Sequence, residues 1–168
     1  MDCWLCDASK YKTLGHNGHV VDRMLEEDDN TYVVVPRHSH VRYHLLVVLK
    51  KKPNEQHKQG LIMCSVEDQI AMAKTCARWC EVLKGMEYDT VYSGCYSDEG
   101  HAHYHLIPFM FGEAKGFSGS AMQWLGYREM FSDKHAWQHL SGDRRSARLK
   151  EIESVVADLK AAASRLNK

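Results

Sequence analysis

Gly100-His101-Ala102-His103-Tyr104-His105-Leu106-Ile107-Pro108 is the stretch on which the reading of this chain turns. On a strand, side chains alternate between faces with a period of two. His101, His103 and His105 therefore line one face, and Ala102, Tyr104 and Leu106 the other. The second set packs on a core, while the three imidazoles form a row that faces outward or into a cleft. Successive members are spaced by about 6–7 Å along the strand. At that spacing two neighbours can share a metal, or one can act as nucleophile while another orients a substrate. Three imidazoles in strict alternation, closed by a proline, form a costly pattern for a face with no chemistry attached to it.

Outward from this strand, the flanking segments supply a sheet and two helices. Thr31-Tyr32-Val33-Val34-Val35 reads as a strand that stops at Pro36, and Tyr43 to Leu49 as a second, buried on both faces. Asp89 to Tyr96 is a third, and Ala102 to Met110 the fourth. Residues 7–30 read as polar and irregular, and Lys50 to Gly60 as a loop. Ser65 caps a helix from about Val66 to Lys84, with Glu67 and Asp68 in its first turn, where the helix dipole favours acids. Ile70, Ala73, Ala77, Cys80 and Leu83 recur at three and four and predict its apolar face; Gly85 ends it. Residues 145–167 form a last helix, whose seam Leu149, Ile152, Val156, Leu159, Ala163 and Leu166 is too short for an autonomous coiled coil and predicts docking on the body.

Composition narrows the function. The chain has 168 residues, 44% of them apolar and 26% charged, the balance of one ordinary globular domain. The 22 Lys and Arg cancel the 22 Asp and Glu, which argues against a binder of duplex nucleic acid, since that needs a surplus of cations. No apolar run is long enough to span a membrane. The first residues are acidic and lack a basic leader, so a cytoplasmic location with reduced cysteines is expected. The compositional outliers are 11 His and 6 Cys. Cys3-Trp4-Leu5-Cys6 offers two thiolates to one Zn²⁺, or a redox pair; no strand precedes it, as a thioredoxin-like motif requires. Cys76 and Cys80, four apart on the helix, read as small core residues. The aromatic-rich runs around Phe109–Phe111 and Trp124–Tyr127 read as a satellite core under a long loop, and His135 and His139 as surface residues.

The triad stretch resembles the signature of the histidine triad (HIT) family, His-φ-His-φ-His-φ-φ with φ apolar, with Ala102, Tyr104, Leu106 and Ile107 at the φ places. Tyr43-His44-Leu45-Leu46-Val47-Val48-Leu49-Lys50 is similar to the family's Gly-His-x-Leu-Val-φ-Pro-Lys strand. His57 to Asp68 is similar to its His-containing turn into the long helix, and Asp28-Asp29-Asn30 to its early acidic turn. The resemblance implies an α+β fold: a mostly antiparallel sheet of about five strands, one long helix and a C-terminal helix. Residues 1–140 would be the HIT-like domain and 141–168 a helix docked on it. It also implies a nucleotidyl hydrolase or transferase acting on the α-phosphate of purine nucleoside phosphoramidates or dinucleoside polyphosphates. His103 would be the nucleophile, flanked by His105 and His44. The alternative is a nucleotide-binding module with little or no turnover. A metal-dependent enzyme of cupin type would need a Glu shortly after the His pair, and Tyr104 to Met110 contains none.

A subset of the family opens with Cys-x-x-Cys and closes a structural zinc site with two histidines. That implies Cys3, Cys6, His57 and His101 as ligands here, with His38 and His40 as rivals to His57 because residues 51–56 lengthen the intervening loop. The resemblance also implies a homodimer through the long helix and an edge strand, for which the apolar content around Met72, Cys76 and Trp79 is the local motive. The chain departs from the family before the triad, where Ser93 to Gly100 lacks the usual Gln. Ser93 and Ser97 offer hydroxyls to a phosphate and Gly100 a close backbone approach, whereas Asp98 and Glu99 repel a polyanion unless turned outward.

Overall fold

The computed structural model describes residues 5, 12–37, 42–51, 57, 58, 60–96, 101–109 and 140–166. Strands β3 (Met24–Glu27), β4 (Thr31–Val34), β5 (Leu45–Leu49), β6 (Thr90–Tyr96) and β7 (His103–Phe109) form one five-stranded sheet in the order β3-β4-β5-β7-β6. Every pairing in it is antiparallel. With helices α1 (Val66–Lys84) and α2 (Gly142–Leu166) this is the α+β architecture expected.

Residues 12–30 depart from the expectation of irregular chain. β1 (Thr13–His16) and β2 (His19–Asp22) pair as a hairpin. Asn17 and Gly18 turn it with φ of 50° and 79°, the left-handed pair a two-residue hairpin turn requires and Asn-Gly supplies. The hairpin and β3 bury Leu14, Val21 and Met24. Asp28 then turns the chain into β4, accepting the backbone N–H groups of Asn30 and Thr31 at 2.8 and 2.6 Å.

α1 begins with a capping box. The Ser65 hydroxyl accepts the Asp68 N–H at 3.2 Å, and the Asp68 carboxylate accepts the Ser65 N–H at 2.9 Å. Its buried face is set one position away from the expected stripe. Asp68, Met72, Thr75, Trp79, Val82 and Leu83 turn inward, whereas Ile70, Ala73 and Ala77 are exposed. The reason is size: Met72 and Trp79 fill volume against the sheet that two alanines cannot. Trp79 also gives its indole N–H to Glu26 at 2.9 Å, satisfying the polar end of a buried ring. On α2, Leu149, Ile152, Val156 and Leu159 are buried as read from the seam. Val155 and Ala162 join them, and Leu166 is exposed. α2 lies against α1, β1, β2 and β3.

The sheet therefore has two different faces. On one, Val33, Val35, Leu45, Val47 and Leu106 pack with both helices into the main core. On the other, Met24, Tyr32, Val34, Leu46 and Val48 are covered by Leu5, whose carbonyl accepts the Tyr32 hydroxyl. Met72 and Trp79 are thus spent on the chain's own core. Exposed apolar side chains gather instead at Ile62, Met63, Val66 and Ile70, in a 3-10 turn (Leu61–Met63) and the start of α1. No helix among the described residues is long and apolar enough to cross a membrane.

Candidate active site

β5 and β7 position the imidazoles. Their register sets Leu46 opposite His105 and Val48 opposite His103, and Leu45 and Val47 opposite Leu106 and Tyr104. Directly opposed residues share a face. His103 and His105 are therefore on the face away from the helices, and Tyr104 and Leu106 on the core face. His44 immediately precedes β5 and is fully buried.

The rings form a continuous chain. His44 Nε2 lies 3.0 Å from His105 Nδ1, and His105 Nε2 lies 2.9 Å from His103 Nε2. His103 Nδ1 lies 2.8 Å from the carbonyl of His101. That carbonyl accepts only, so Nδ1 of His103 carries the proton and Nε2 the lone pair. His105 must then donate from Nε2 and accept at Nδ1, where His44 donates. One set of neutral tautomers satisfies every contact. The ring centres of His103 and His105 are 4.9 Å apart, less than the repeat along the strand, because the two side chains lean together.

His101 stands before β7, and a second pair forms around it. Its Nε2 donates to the Leu49 carbonyl at 2.7 Å, which leaves Nδ1 as the lone-pair nitrogen. His57 Nε2 is 3.1 Å from that nitrogen, with the rings stacked at 5.1 Å. His57 is held in place by its neighbour. The Lys58 carbonyl accepts the Ala102 N–H at 2.9 Å, and its ammonium pairs with the buried Asp68 carboxylate at the start of α1. This second duty of Asp68 has no sequence signature beyond the capping spacing.

Burial sets the charge state. Desolvation first, and then the neighbouring His103, pull the His105 pKa down from the ordinary 6.5 to about 3. Desolvation also lowers that of His101; the Leu49 carbonyl works against it, and His57 and His103 add to it. His105 is therefore a neutral N–H donor at neutral pH.

The remaining candidates fall differently. β6 places Gly94 opposite His105 and Ser93 opposite Leu106. Gly94 leaves the space beside His105 without a side chain. Ser93 is on the other face, so the register does not bring its hydroxyl to the imidazoles. Cys76 and Cys80 pack partly buried against the core, and burial pushes the Cys76 thiol up to about 12, the state of an inert core thiol. Tyr32 is core under Leu5. Cys3, Cys6, His38, His40, Ser97, Gly100, Asp98, Glu99, Trp124, Tyr127, His135 and His139 lie outside the described residues. Among the described residues no three His, Cys, Asp or Glu converge as a metal site. The donor chemistry at His57 and His101 nevertheless fits zinc. Two nitrogens bound at about 2.0–2.1 Å to one tetrahedral ion are separated by roughly 3.3 Å, close to the 3.1 Å observed.

No family model and no curated protein matches this chain. Solved structures do match. A HIT-like protein involved in cell-cycle regulation from Bartonella henselae superposes with a TM-score of 0.53 at 16% identity, over 83% of this chain and 84% of that one. A Zn-bound histidine triad family protein from Mycobacterium smegmatis gives 0.49 at 18% identity, over 83% and 86%. The diadenosine triphosphate hydrolase of Plasmodium falciparum gives 0.46 at 13%, over 88% and 86%. At these identities the likeness is one of fold, carried by the first. The protein has a HIT-like α+β fold.

The depressed His105 pKa makes stability depend on pH. Unfolded, His105 takes its proton near pH 6.5; folded, it resists until about pH 3. Its contribution is complete above pH 6.5 and is lost progressively as pH falls toward 3, by at most about 1.4 kcal/mol per pH unit. His105→Asn should flatten the fall in urea-unfolding free energy between pH 6.5 and pH 4. A slope identical to wild type would place its cause elsewhere.

Proposed function

We propose that this protein is a histidine triad enzyme, a nucleotidyl hydrolase or transferase working through His103 on purine nucleoside phosphoramidates or dinucleoside polyphosphates. The observation that carries the reading is the tautomer lock. The His101 carbonyl holds the His103 Nδ1 proton, so Nε2 presents its lone pair on the face away from the helices, beside a neutral donor. His103 Nε2 attacks the α-phosphorus, and the bond from phosphorus to the leaving group breaks as the nucleotidyl–histidine bond forms. His105 turns its Nε2–H from His103 to a non-bridging phosphate oxygen as a hydrogen bond that is not transferred, His44 holds His105 in the tautomer that can do so, and the leaving group takes its proton from solvent. Water or another acceptor then attacks phosphorus and gives up its proton to solvent, and the phosphorus–nitrogen bond breaks to free His103. Gly94 leaves room for the substrate beside the ring that donates.

His103→Ala should abolish turnover while leaving the fold intact, whereas His105→Ala and His44→Ala should retain a residue of activity, since one positioned hydrogen-bond donor contributes about 10²–10³-fold. The measurement is a quenched reaction with an adenosine phosphoramidate, read by mass spectrometry for a nucleotidyl adduct on the peptide containing His103. Wild-type turnover matched by His103→Ala would overturn the mechanism. Nucleotide binding without turnover across phosphoramidates and dinucleoside polyphosphates would leave the binding-module reading.

His57 and His101, with Cys3 and Cys6 from the segment around the anchored Leu5, would hold one structural zinc. The ion would tie that segment to the base of the triad strand and take no part in the reaction. Elemental analysis should find about one zinc per chain, and Cys3→Ser should lower thermal stability, because metal binding energy is folding energy. A zinc-free protein unaffected by Cys3→Ser would remove this assignment.

The assembly is a homodimer. Its local motive is the exposed apolar group Ile62, Met63, Val66 and Ile70, not Met72 or Trp79, which are buried. Sedimentation should give twice the chain mass at micromolar concentration, and Ile62→Lys with Val66→Lys should return the monomer. A wild-type monomer at that concentration would exclude it.

A further inference from the structure

Tyr43, the residue before His44, has φ of +62°. A residue with a Cβ is disfavoured there, and a bulky one more so than asparagine or aspartate. The conformation persists because contacts outside the turn hold the side chain. The Tyr43 hydroxyl donates to the Asp158 carboxylate of α2 at 2.9 Å. The same carboxylate oxygen accepts from Arg42 at 3.0 Å, and the Arg42 guanidinium stands 5.0 Å over the Tyr43 ring. Tyr88 meets that ring edge-on at 5.9 Å. These contacts converge on a single backbone turn, one residue from the imidazole that donates to His105.

We propose that Asp158 is a positioning residue for His44, acting through Tyr43. The phenol, held by the carboxylate, keeps the turn left-handed, and the turn sets the direction in which His44 leaves the backbone. If Asp158 releases the hydroxyl, the Tyr43 backbone relaxes toward negative φ. The following peptide then rotates, and His44 Nε2 is carried away from His105 Nδ1. An ordinary exposed ion pair between Arg42 and Asp158 would contribute little and reach no further. The hydroxyl bond is different, because its other end sits on a strained residue adjoining a buried ring. α2 thereby acquires a role in the site through Tyr43.

The assignment of His44 to a reaction rests on the function proposed above, but its placement does not, so the test reads placement directly. Long-range ¹H–¹⁵N spectra of the imidazoles report the tautomer and hydrogen bonding of each ring. Asp158→Ala should move the His44 and His105 ring signals and leave those of His57 and His101 in place. Asp158→Asn, which keeps an oxygen acceptor for the phenol, should restore the wild-type pattern. In a Tyr43→Gly background, where glycine adopts positive φ unaided, Asp158→Ala should change nothing further. If Tyr43→Gly does not fold, Tyr43→Asn serves, since asparagine tolerates the same region. With an adenosine phosphoramidate, Asp158→Ala should lower kcat about tenfold and leave KM unchanged. Ring signals untouched by Asp158→Ala, or an equal shift in the Tyr43→Gly background, would overturn the proposal. Absence of turnover in the wild type would count against nucleotidyl transfer alone, with the ring signals still deciding the role of Asp158.

Discussion

The hydrogen bond from His103 Nδ1 to the carbonyl of His101 is the constraint on which the site depends. It is local, reaching two residues back to the segment that leads into β7, and it involves an acceptor that cannot reverse its role. Every other proton in the row follows from it: Nε2 of His103 must accept, His105 must donate to it, and His44 must donate to His105. A backbone carbonyl thus determines the protonation pattern of three side chains, two on β7 and one just before β5. Burial reinforces the pattern, since desolvation and the neighbouring His103 both disfavour the charged form of His105.

The sheet makes that row possible by separating two kinds of burial. Its helix-covered face is closed by Leu45, Val47 and Leu106 against Trp79, Leu83, Leu149 and Leu159. Its other face carries an apolar patch under Leu5 beside the imidazoles. The first supplies rigidity through close packing, so strand β7 has little freedom to shift. The second brings Leu5 onto the sheet face that carries His103 and His105. The same sheet therefore serves a rigid core on one side and a polar centre on the other, and the register of β5 against β7 is what keeps them apart. A slip of one residue would turn the histidines into the core.

α1 and α2 bear on the site through the residues beside its histidines. The Asp68 carboxylate caps α1 and also holds Lys58, whose carbonyl is bonded to Ala102, and so fixes His57 beside His101. Asp158 on α2 holds the phenol of Tyr43, and so bears on the turn that delivers His44. Each helix contributes a carboxylate that holds a residue next in sequence to one of the histidines.

The sequence by itself determined β4, β5, β6 and β7 but not the edge strand β3, together with the long helix with its Ser65 cap and the shared face of His103 and His105. These depend on period, caps and alternation, all of which are local. The hairpin at residues 13–22 was also legible in Asn17-Gly18, although its polar composition reads as loop when considered alone. Only the tertiary structure decided the buried face of α1, because Met72, Trp79 and two alanines compete for it and the sheet accepts the larger residues. It alone placed Ser93 on the far side from the imidazoles, because that depends on the β6–β7 register. It alone joined His57 to His101 across a lengthened loop and Tyr43 to Asp158 across 115 residues. Contacts of that separation leave no periodic trace in a single chain. They exist only once the strands and helices have been packed against one another.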